Sequence, residues 1–422
     1  MNGVMAEKTR VLFITWDGPN SAYLEGLFLP IFRSLGRQGL DFNVLQFTWS
    51  GAYERAKLEK VCAAAGVGYR SVRVWRSPVA IGSFATALWG RFHVRKAIAD
   101  FQIDVVMPRS TLPAVAGIPA AKALPLMLDA DGLPNDERVE FHGRRPRGLS
   151  YRALRRLEMW AIRRADLVVV RTRRAIEILA KRTGVEQARF HVVANGRDPK
   201  VFDVMSRQAR EASRVELGIG AAPLLVYAGS SLTGKYLGEA IFVYFREVLK
   251  RRPDSRLLLL MPCQEEARWM ISRNSDLAAA CILRSATHHE VPQWLACADL
   301  GLSLIRQTLS MQAASAIKTA EYLLCGVPVL ATAGVGEVDT VVGPEVGFCL
   351  HRAGEADLAA AADWFVDGVL ADRPGFRRRC RSAGLKHFSL AISVKQYRIA
   401  FSEALSNAAV RGERSFGLFP RE

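Results

Sequence analysis

Short runs of Val, Ile and Leu alternate along this chain with longer stretches in which apolar residues recur every three or four positions. The short runs read as strands buried on both sides and the longer ones as covering helices, so the pattern predicts open parallel sheets with helices on each face. In the first half, strands are expected at 11–16, 43–47, 105–107, 126–129, 167–170 and 191–193. From Asn195 to Gly220 the chain turns polar and charged without a strand run, which marks a linker. Strands resume at 224–227, 257–261, 281–284, 300–304 and 327–331. The fold class is therefore α/β, with two doubly wound sheets in succession. Such sheets take ligands at the carboxyl ends of their strands, and two of them leave a central cleft. No repeat or low-complexity tract interrupts the pattern, and the tail after Asn407 reads as frayed.

Composition narrows the class. The 422 residues are 50% hydrophobic and 23% charged, the balance of a soluble globular protein, which excludes disorder and fibres. The most apolar long stretch, Ser110 to Leu128, is broken by Pro113, Pro119, Lys122 and Pro125, so no membrane-spanning helix is expected. The N-terminus has charged residues before a short apolar run and reads as a first strand rather than a signal peptide. Seven cysteines, odd in number, without a CxxC and mostly inside apolar runs, read as reduced, buried thiols and point to a cytoplasmic location.

Charge changes the picture more. The net charge is +17, and residues 1–205 carry 32 basic against 19 acidic side chains. The excess peaks between Arg138 and Arg174, where Leu154, Leu157, Trp160 and Ala161 can share one helical face ringed by Arg152, Arg155, Arg156, Arg163 and Arg164. This pattern fits either a helix on an anionic membrane surface or a core-facing helix with a solvated arginine face. Nucleic acid is not expected, because no stacking ladder, zinc-finger spacing or recognition helix accompanies the charge.

Two segments carry candidate chemistry. Gly229-Ser-Ser-Leu-Thr-Gly-Lys235 follows a strand and precedes a helical segment, so its backbone N–H groups and the Lys235 ammonium can cradle a diphosphate. It spells GxxxxGK, but Tyr236 stands where a P-loop needs Ser or Thr for Mg²⁺. In SAIKTAEYLLCGVPVLAT, a helix beginning near Ser315 would present Lys318 and Glu321 on one face, a cation for phosphate and a carboxylate for two ribose hydroxyls. Asp129-Ala-Asp131 invites a metal-binding DxD reading, yet two lysines already serve the phosphates, so no metal is expected. His288 and His289 lack metal-pair spacing and are expected in a loop.

Read with their neighbours, these segments resemble the GT-B glycosyltransferases, close to glycosyltransferase family 4. YAGSSLTGKY, THHEVPQWLACADLGLSL and SAIKTAEYLLCGVPVLATAGVGE resemble its donor-domain blocks, and the last is the most specific. PRSTLPAVAG, DADGLPNDERVEF, RRLEMWAIRRADLVVVRT and VVANGRDPKVF resemble first-domain blocks up to the hinge. The resemblance implies a Rossmann-like acceptor domain over 1–205, a Rossmann-like donor domain over 206–390, and a C-terminal helix and tail, 391–422, crossing back to the first domain. It implies that Lys235 and Lys318 bind the donor diphosphate, lined by Gly229, Ser230, Gly234 and Ser315, and that Glu321 accepts the ribose hydroxyls. Asp129 and Asp131 are expected at the reacting centre, with Arg109, Ser110, Gly132, Asp136 and Glu137 on the acceptor side. The chain departs from the family pattern at Ala313, where a first Glu of a Glu-x7-Glu pair is common, and at Asp131 and Ala316, where Arg and Pro are frequent. The implied reaction is metal-independent, needs no cofactor, and transfers a hexose from a nucleotide-diphosphate sugar to an acceptor hydroxyl with retention. A lipid-linked acceptor or anionic bilayer held between Arg144 and Arg174 would suit bacterial polysaccharide synthesis, peripheral on the inner face of the plasma membrane. A nucleotide-sugar epimerase or hydrolase of the same fold, and a catalytically degenerate membrane-bound partner protein, remain the alternatives.

Overall fold

The computed structural model describes residues 8–416 except positions 20, 22, 144, 147 and 288. Arg144, His288 and the ends of the chain that the sequence readings touched lie outside the described residues. The chain divides into two compact units: one of the described residues within 1–139, 144–193 and 393–422, the other within 140–143 and 194–392.

The first unit contains β1 (Thr9–Asp17), β2 (Leu40–Thr48), β3 (Gly68–Arg73), β4 (Val105–Pro108), β5 (Met127–Asp129), β6 (Leu167–Val170) and β7 (Phe190–Val192). They run parallel in the orders β3-β2-β1-β4 and β5-β6-β7, and the bridges Val106–Leu126 and Arg109–Asp129 join the two sets. Strands β1 and β4 are almost wholly buried, which is why they read as continuous apolar runs. The order reverses between β1 and β4, so Asp17 and Arg109 flank the point where such a sheet opens for a ligand.

The second unit contains β8 (Leu224–Ala228), β9 (Arg256–Leu260), β10 (Cys281–Arg284), β11 (Leu300–Ser303), β12 (Val329–Thr332) and β13 (Gly347–Leu350), all parallel in the order β10-β9-β8-β11-β12-β13. Alternate residues of β8 feed two apolar layers, Leu224 and Val226 with Trp294 and Tyr322 on one face, Leu225 and Tyr227 with Phe242 and Phe245 on the other. Here the reversal falls between β8 and β11, and the Gly229 loop leaves the end of β8 at that point.

The structure corrects several expectations. Edge strands β3 and β13 were not anticipated, because GYRSVR and GFCL offer no long apolar run. The stretch read as a linker contains a helix, Arg207–Glu216, and the two units divide at 193/194 rather than 205/206. Helix Leu390–Phe416 continues past Asn407 as far as Phe416, so that part of the tail read as frayed is helical, while 417–422 lie outside the described residues; the helix buries Tyr397, Ala400, Phe401 and Ala404 within the first unit. All seven cysteines are free, and Cys263 is the exposed one.

Two helices of the first unit carry surface features of interest, one read from the sequence and one not. Helix Leu149–Arg164 buries Glu158, Ala161 and Ile162, while Leu154, Leu157 and Trp160 of the predicted apolar face are only half-buried. Helix Val79–Phe101 buries only small or β-branched residues, Gly82, Ala87, Gly90, Val94 and Ala97. A methyl group on Gly90 would stand 2.9 Å from both the Ala116 Cβ and the Phe47 ring, so only glycine permits this approach. The large side chains Ile81, Phe84, Leu88, Trp89 and Phe92 of the same helix face outward.

Candidate active site

In the second unit the sequence-predicted donor residues converge on a cationic site. Helix Ile317–Leu324 starts two residues later than expected, and Ala316 gives its first turn no side-chain cap. Its free N–H groups therefore keep a partial positive charge available to an anion. Lys318 sits in that first turn and is only 9% exposed. Its Nζ lies 4.1 Å from the ring centroids of Tyr227 and Tyr236, and it has no hydrogen-bond partner among the described residues. Burial, with repulsion from Lys235, pushes the ammonium down to about 7, opposed only weakly by Glu321. Lys235 reaches the same Tyr236 ring at 5.8 Å. Two ammonium groups share one aromatic corner, an arrangement that a bound diphosphate would relieve.

The glycine loop is built differently from a phosphate cradle. The N–H of Leu232 and the hydroxyl of Ser231 donate to the Glu266 carboxylate at 2.9 and 3.2 Å. Burial raises Glu266, but hydrogen bonds from Thr233, Leu232 and Ser231 outweigh it and hold the carboxyl below its ordinary value. The N–H of Thr233 is taken by the Ser231 hydroxyl at 3.1 Å, and Gly234, at φ 65°, turns the chain so that Arg306 bonds the carbonyls of Gly234 and Lys235, each at 2.8 Å. The amides of Gly229, Leu232 and Thr233 are thus spent within the protein, with Ser230 exposed and Gly229 half-buried in the loop that leads to Lys235. Gly229 is required because a Cβ there would lie 2.7 Å from the Tyr227 hydroxyl.

Glu321 is not free as the sequence reading had it. Arg197 holds its Oε1 at 2.8 Å, and the Arg197 backbone bonds Phe388 and Leu390 at 2.8 and 2.9 Å. Burial raises Glu321, opposed by Arg197 and Lys318. Asn195 donates to the Ser315 carbonyl at 3.5 Å. The Asn195-Gly196-Arg197 motif was read only as a hinge, although a conspicuous Arg in an otherwise apolar-to-polar junction was its one visible signal. Ala313 is fully buried.

In the first unit the acidic candidates are mostly committed to arginines. Asp129 is 0% exposed and forms an ion pair with Arg171, whose guanidinium also meets the Tyr397 hydroxyl and the Val193 carbonyl, each at 3.3 Å. Burial pushes Asp129 up against the opposing pull of Arg171 and Arg109. Asp129 is therefore a positioning residue, not the reacting-centre group expected, and its Oδ1 accepts the Asp131 N–H at 3.2 Å. Asp131 stands at φ 53° with its carboxylate 2.6 Å from Arg109, whose other arm is 4.0 Å from Asp17. The DxD carboxylates thus face different guanidinium groups and do not converge on a shared point. Ser110, also at positive φ, 70°, donates its N–H to the Asp129 carbonyl at 2.8 Å. Two non-glycine residues in this region, side by side at strand ends, are strain of the kind found at ligand sites. Asp136, expected on the acceptor side, is buried and bound by Arg155 at 2.9 Å and Arg182 at 2.8 Å, so it is structural; Glu137 is half-buried beside it. Arg109, Asp131 and Asp17 are the remaining polar cluster at the sheet's switch point.

Comparison with known proteins places this geometry. HepE of Anabaena, in complex with UDP, superposes with a TM-score of 0.70 at 16% identity, over 93% of this chain and 100% of that one. A glycosyltransferase of Rickettsia africae ESF-5 gives 0.72 at 15% identity, over 95% and 99%. The chain has the GT-B fold. WaaG, a GT-B glycosyltransferase involved in lipopolysaccharide biosynthesis, gives 0.68 at 17% identity over 92% and 99%. The model of Glycosyltransferase Family 4 matches residues 31–201, from the helix after β1 to just beyond Arg197. No curated protein matches the sequence.

Proposed function

We propose that this GT-B chain is a retaining, metal-independent glycosyltransferase that moves a hexose from a nucleoside-diphosphate sugar to an acceptor hydroxyl. The observation that carries the reading is Lys318, a buried ammonium with two tyrosine faces and no acceptor among the described residues, at the uncapped start of helix Ile317–Leu324. A group so placed is costly to the folded chain and gains its partner when a diphosphate arrives. As the glycosidic bond breaks, charge accumulates on the leaving diphosphate, and Lys318, Lys235 and the helix start stabilise it without rearranging. That contribution makes a metal unnecessary, and the arginine pairs at Asp129 and Asp131 leave neither carboxylate free to hold one. Glu321 takes the ribose. Because HepE was crystallised with UDP and with UDP-glucose, uridine is the base to test first.

A thermal-shift panel of nucleoside diphosphates and their sugars, with and without EDTA, tests this directly. The uridine members should raise the melting temperature by several degrees regardless of EDTA, since a ligand that binds only the folded state stabilises it by mass action. No shift from any base sinks the reading, and a shift that vanishes with EDTA sinks its metal-independent part.

The acceptor side of the reading is a lipid-linked acceptor at an anionic bilayer, in cell-surface polysaccharide or glycolipid synthesis. Its support has moved away from the basic helix. Arg155 is half-buried and engaged by Asp136, and the Nε of the exposed Arg163 is spent on the Thr183 carbonyl at 3.0 Å, so neither guanidinium is wholly available to a bilayer. Helix Val79–Phe101 instead turns Ile81, Phe84, Leu88, Trp89 and Phe92 to solvent, with Arg91, Arg95 and Lys96 exposed on the same helix. Among the described residues no helix is long and apolar enough to cross a membrane. On this reading the helix lies along the bilayer surface, because aromatic and basic side chains suit the headgroup boundary. Replacing Ile81, Trp89 and Phe92 together by serine should cut sedimentation with phosphatidylglycerol vesicles by about tenfold or more. Reversing the charge of Arg152, Arg156 and Arg164 should leave it largely intact; the opposite ranking would return the membrane face to the basic helix.

A further inference from the structure

A second cationic feature lies outside the donor corner. A hollow of about 420 Å³ in the second unit is lined by Arg207, Arg210, Arg373, Arg377 and Arg378, with Pro328 and Phe376 among its apolar walls. Asp299 is the single acidic lining residue, 4% exposed. Its carboxylate is shared among Arg210 at 2.6 Å, Arg373 at 3.3 Å and, behind the wall, Arg214 at 3.4 Å, and it also accepts the Leu224 N–H at 2.9 Å. Arg214 spends further donors on the carbonyls of Gly220 and Cys297 and is structural. Arg207 pairs with Glu211 at the rim, 2.8 Å away. Arg377 donates to the Ala296 carbonyl, a neutral partner, and Asp372 lies near the exposed Arg378, so the wall still carries more positive than negative charge. The buried Nε of Arg210 has no hydrogen-bond partner, and that of Arg373, though close to Asp299, is not aligned to make one. Burial and then repulsion from Arg210 lower Arg377.

We propose that this hollow binds a small molecule bearing a di- or triphosphate group. With Arg207 paired to Glu211, the single Asp299 carboxylate cannot neutralise the other four lining guanidinium groups, and a monovalent ion leaves most of the excess in place. The planar forks of arginine match the paired oxygens of a polyphosphate, and they are preferred over lysine where that geometry matters. The volume exceeds what inorganic phosphate fills, and the Pro328 and Phe376 walls suit an organic moiety beyond the phosphates. The anion is held by side chains and not by the nearby helix start, because Asp372 already caps Arg373–Phe388 through the Gly375 N–H at 3.0 Å. Gly326 and Pro328 place the hollow past the C-terminal end of helix Ile317–Leu324, whereas Lys318 is in its first turn, so the two cationic sites are separate.

The test is isothermal titration of inorganic tripolyphosphate into the full chain carrying Lys318→Ala, at ionic strength matched with chloride, so that the donor corner is disabled. One equivalent should still bind. Arg373→Ala and Arg378→Ser in that background should each weaken it at least tenfold. Arg378 is exposed, so its variant folds even where Arg373→Ala does not. No binding to the Lys318→Ala chain, or unchanged affinity in a folded arginine variant, overturns the proposal. Failure of nucleotide sugars to bind the wild type would leave it untouched, because that outcome concerns the donor corner alone.

Discussion

Replacing Lys318 by methionine should lower sugar transfer by about 10²–10³-fold, the usual loss when one preorganised donor to a developing oxyanion is removed, and should at the same time raise the melting temperature of the free chain. The two effects have one origin. The ammonium faces Tyr227, Tyr236 and Lys235, with only Glu321 offering opposite charge. An unfolded chain protonates this lysine below its ordinary value of 10.5, but the folded chain protonates it only below about 7. Between those values the unfolded state binds more protons, so this residue makes stability rise with pH. Its cost is fully present below pH 7, on the order of a few kcal/mol, and fades as the pH climbs toward 10.5. The methionine variant should therefore be more stable than the wild type at pH 6.5 by differential scanning fluorimetry, with the gap closing at pH 9.5. A diphosphate raises the lysine's affinity for its proton, so titration with a nucleotide sugar at pH 8 should take up close to one proton in the wild type and none in the variant. A variant that loses both activity and stability would show Lys318 to be a core residue and not a binding group.

Arg171→Met and Asp129→Leu should each destabilise the first unit by about 3–5 kcal/mol, because each leaves an uncompensated charge in a fully buried place. The pair joins β5 to the end of β6 and, through Tyr397, ties in the C-terminal helix of the same unit. The double variant should recover much of the loss, since two apolar groups of similar volume remove both desolvation penalties together. Chemical denaturation of the four proteins closes the cycle. Activity should not recover with stability: without the Asp129 carboxylate, the Asp131 N–H loses its acceptor, and the carboxylate facing Arg109 is no longer held at its left-handed turn. Single variants within 1 kcal/mol of the wild type would show the pair to be dispensable.

These two cases mark what was legible in the sequence. Strands β1, β2, β4 and β8 were readable because both faces are buried and their apolar runs are unbroken. Edge strands β3 and β13 were not, since half of each contacts little and polar residues are tolerated there. Lys318 and Glu321 were legible from spacing within one helix. Their partners were not: Tyr227 lies 91 positions before Lys318 and Arg197 lies 124 before Glu321, and no local period reports such pairings. The same limit made Asp129 look reactive, because Arg171 stands 42 positions away. Helix Val79–Phe101 drew no reading from the sequence, because small residues inward and aromatics outward invert the usual amphipathic pattern.

The distribution of thiols offers an experimental handle. Cys263 is exposed on the loop after β9, near the Glu266 brace of the Gly229 loop, while burial pushes Cys62, Cys281 and Cys380 up to about 12 and Cys297 and Cys349 to about 11. Only a thiolate attacks a maleimide at an appreciable rate. Brief labelling at neutral pH should therefore attach one dye to the unaltered wild-type chain, beside the donor corner, giving an optical reporter of ligand arrival without engineering a cysteine-free background.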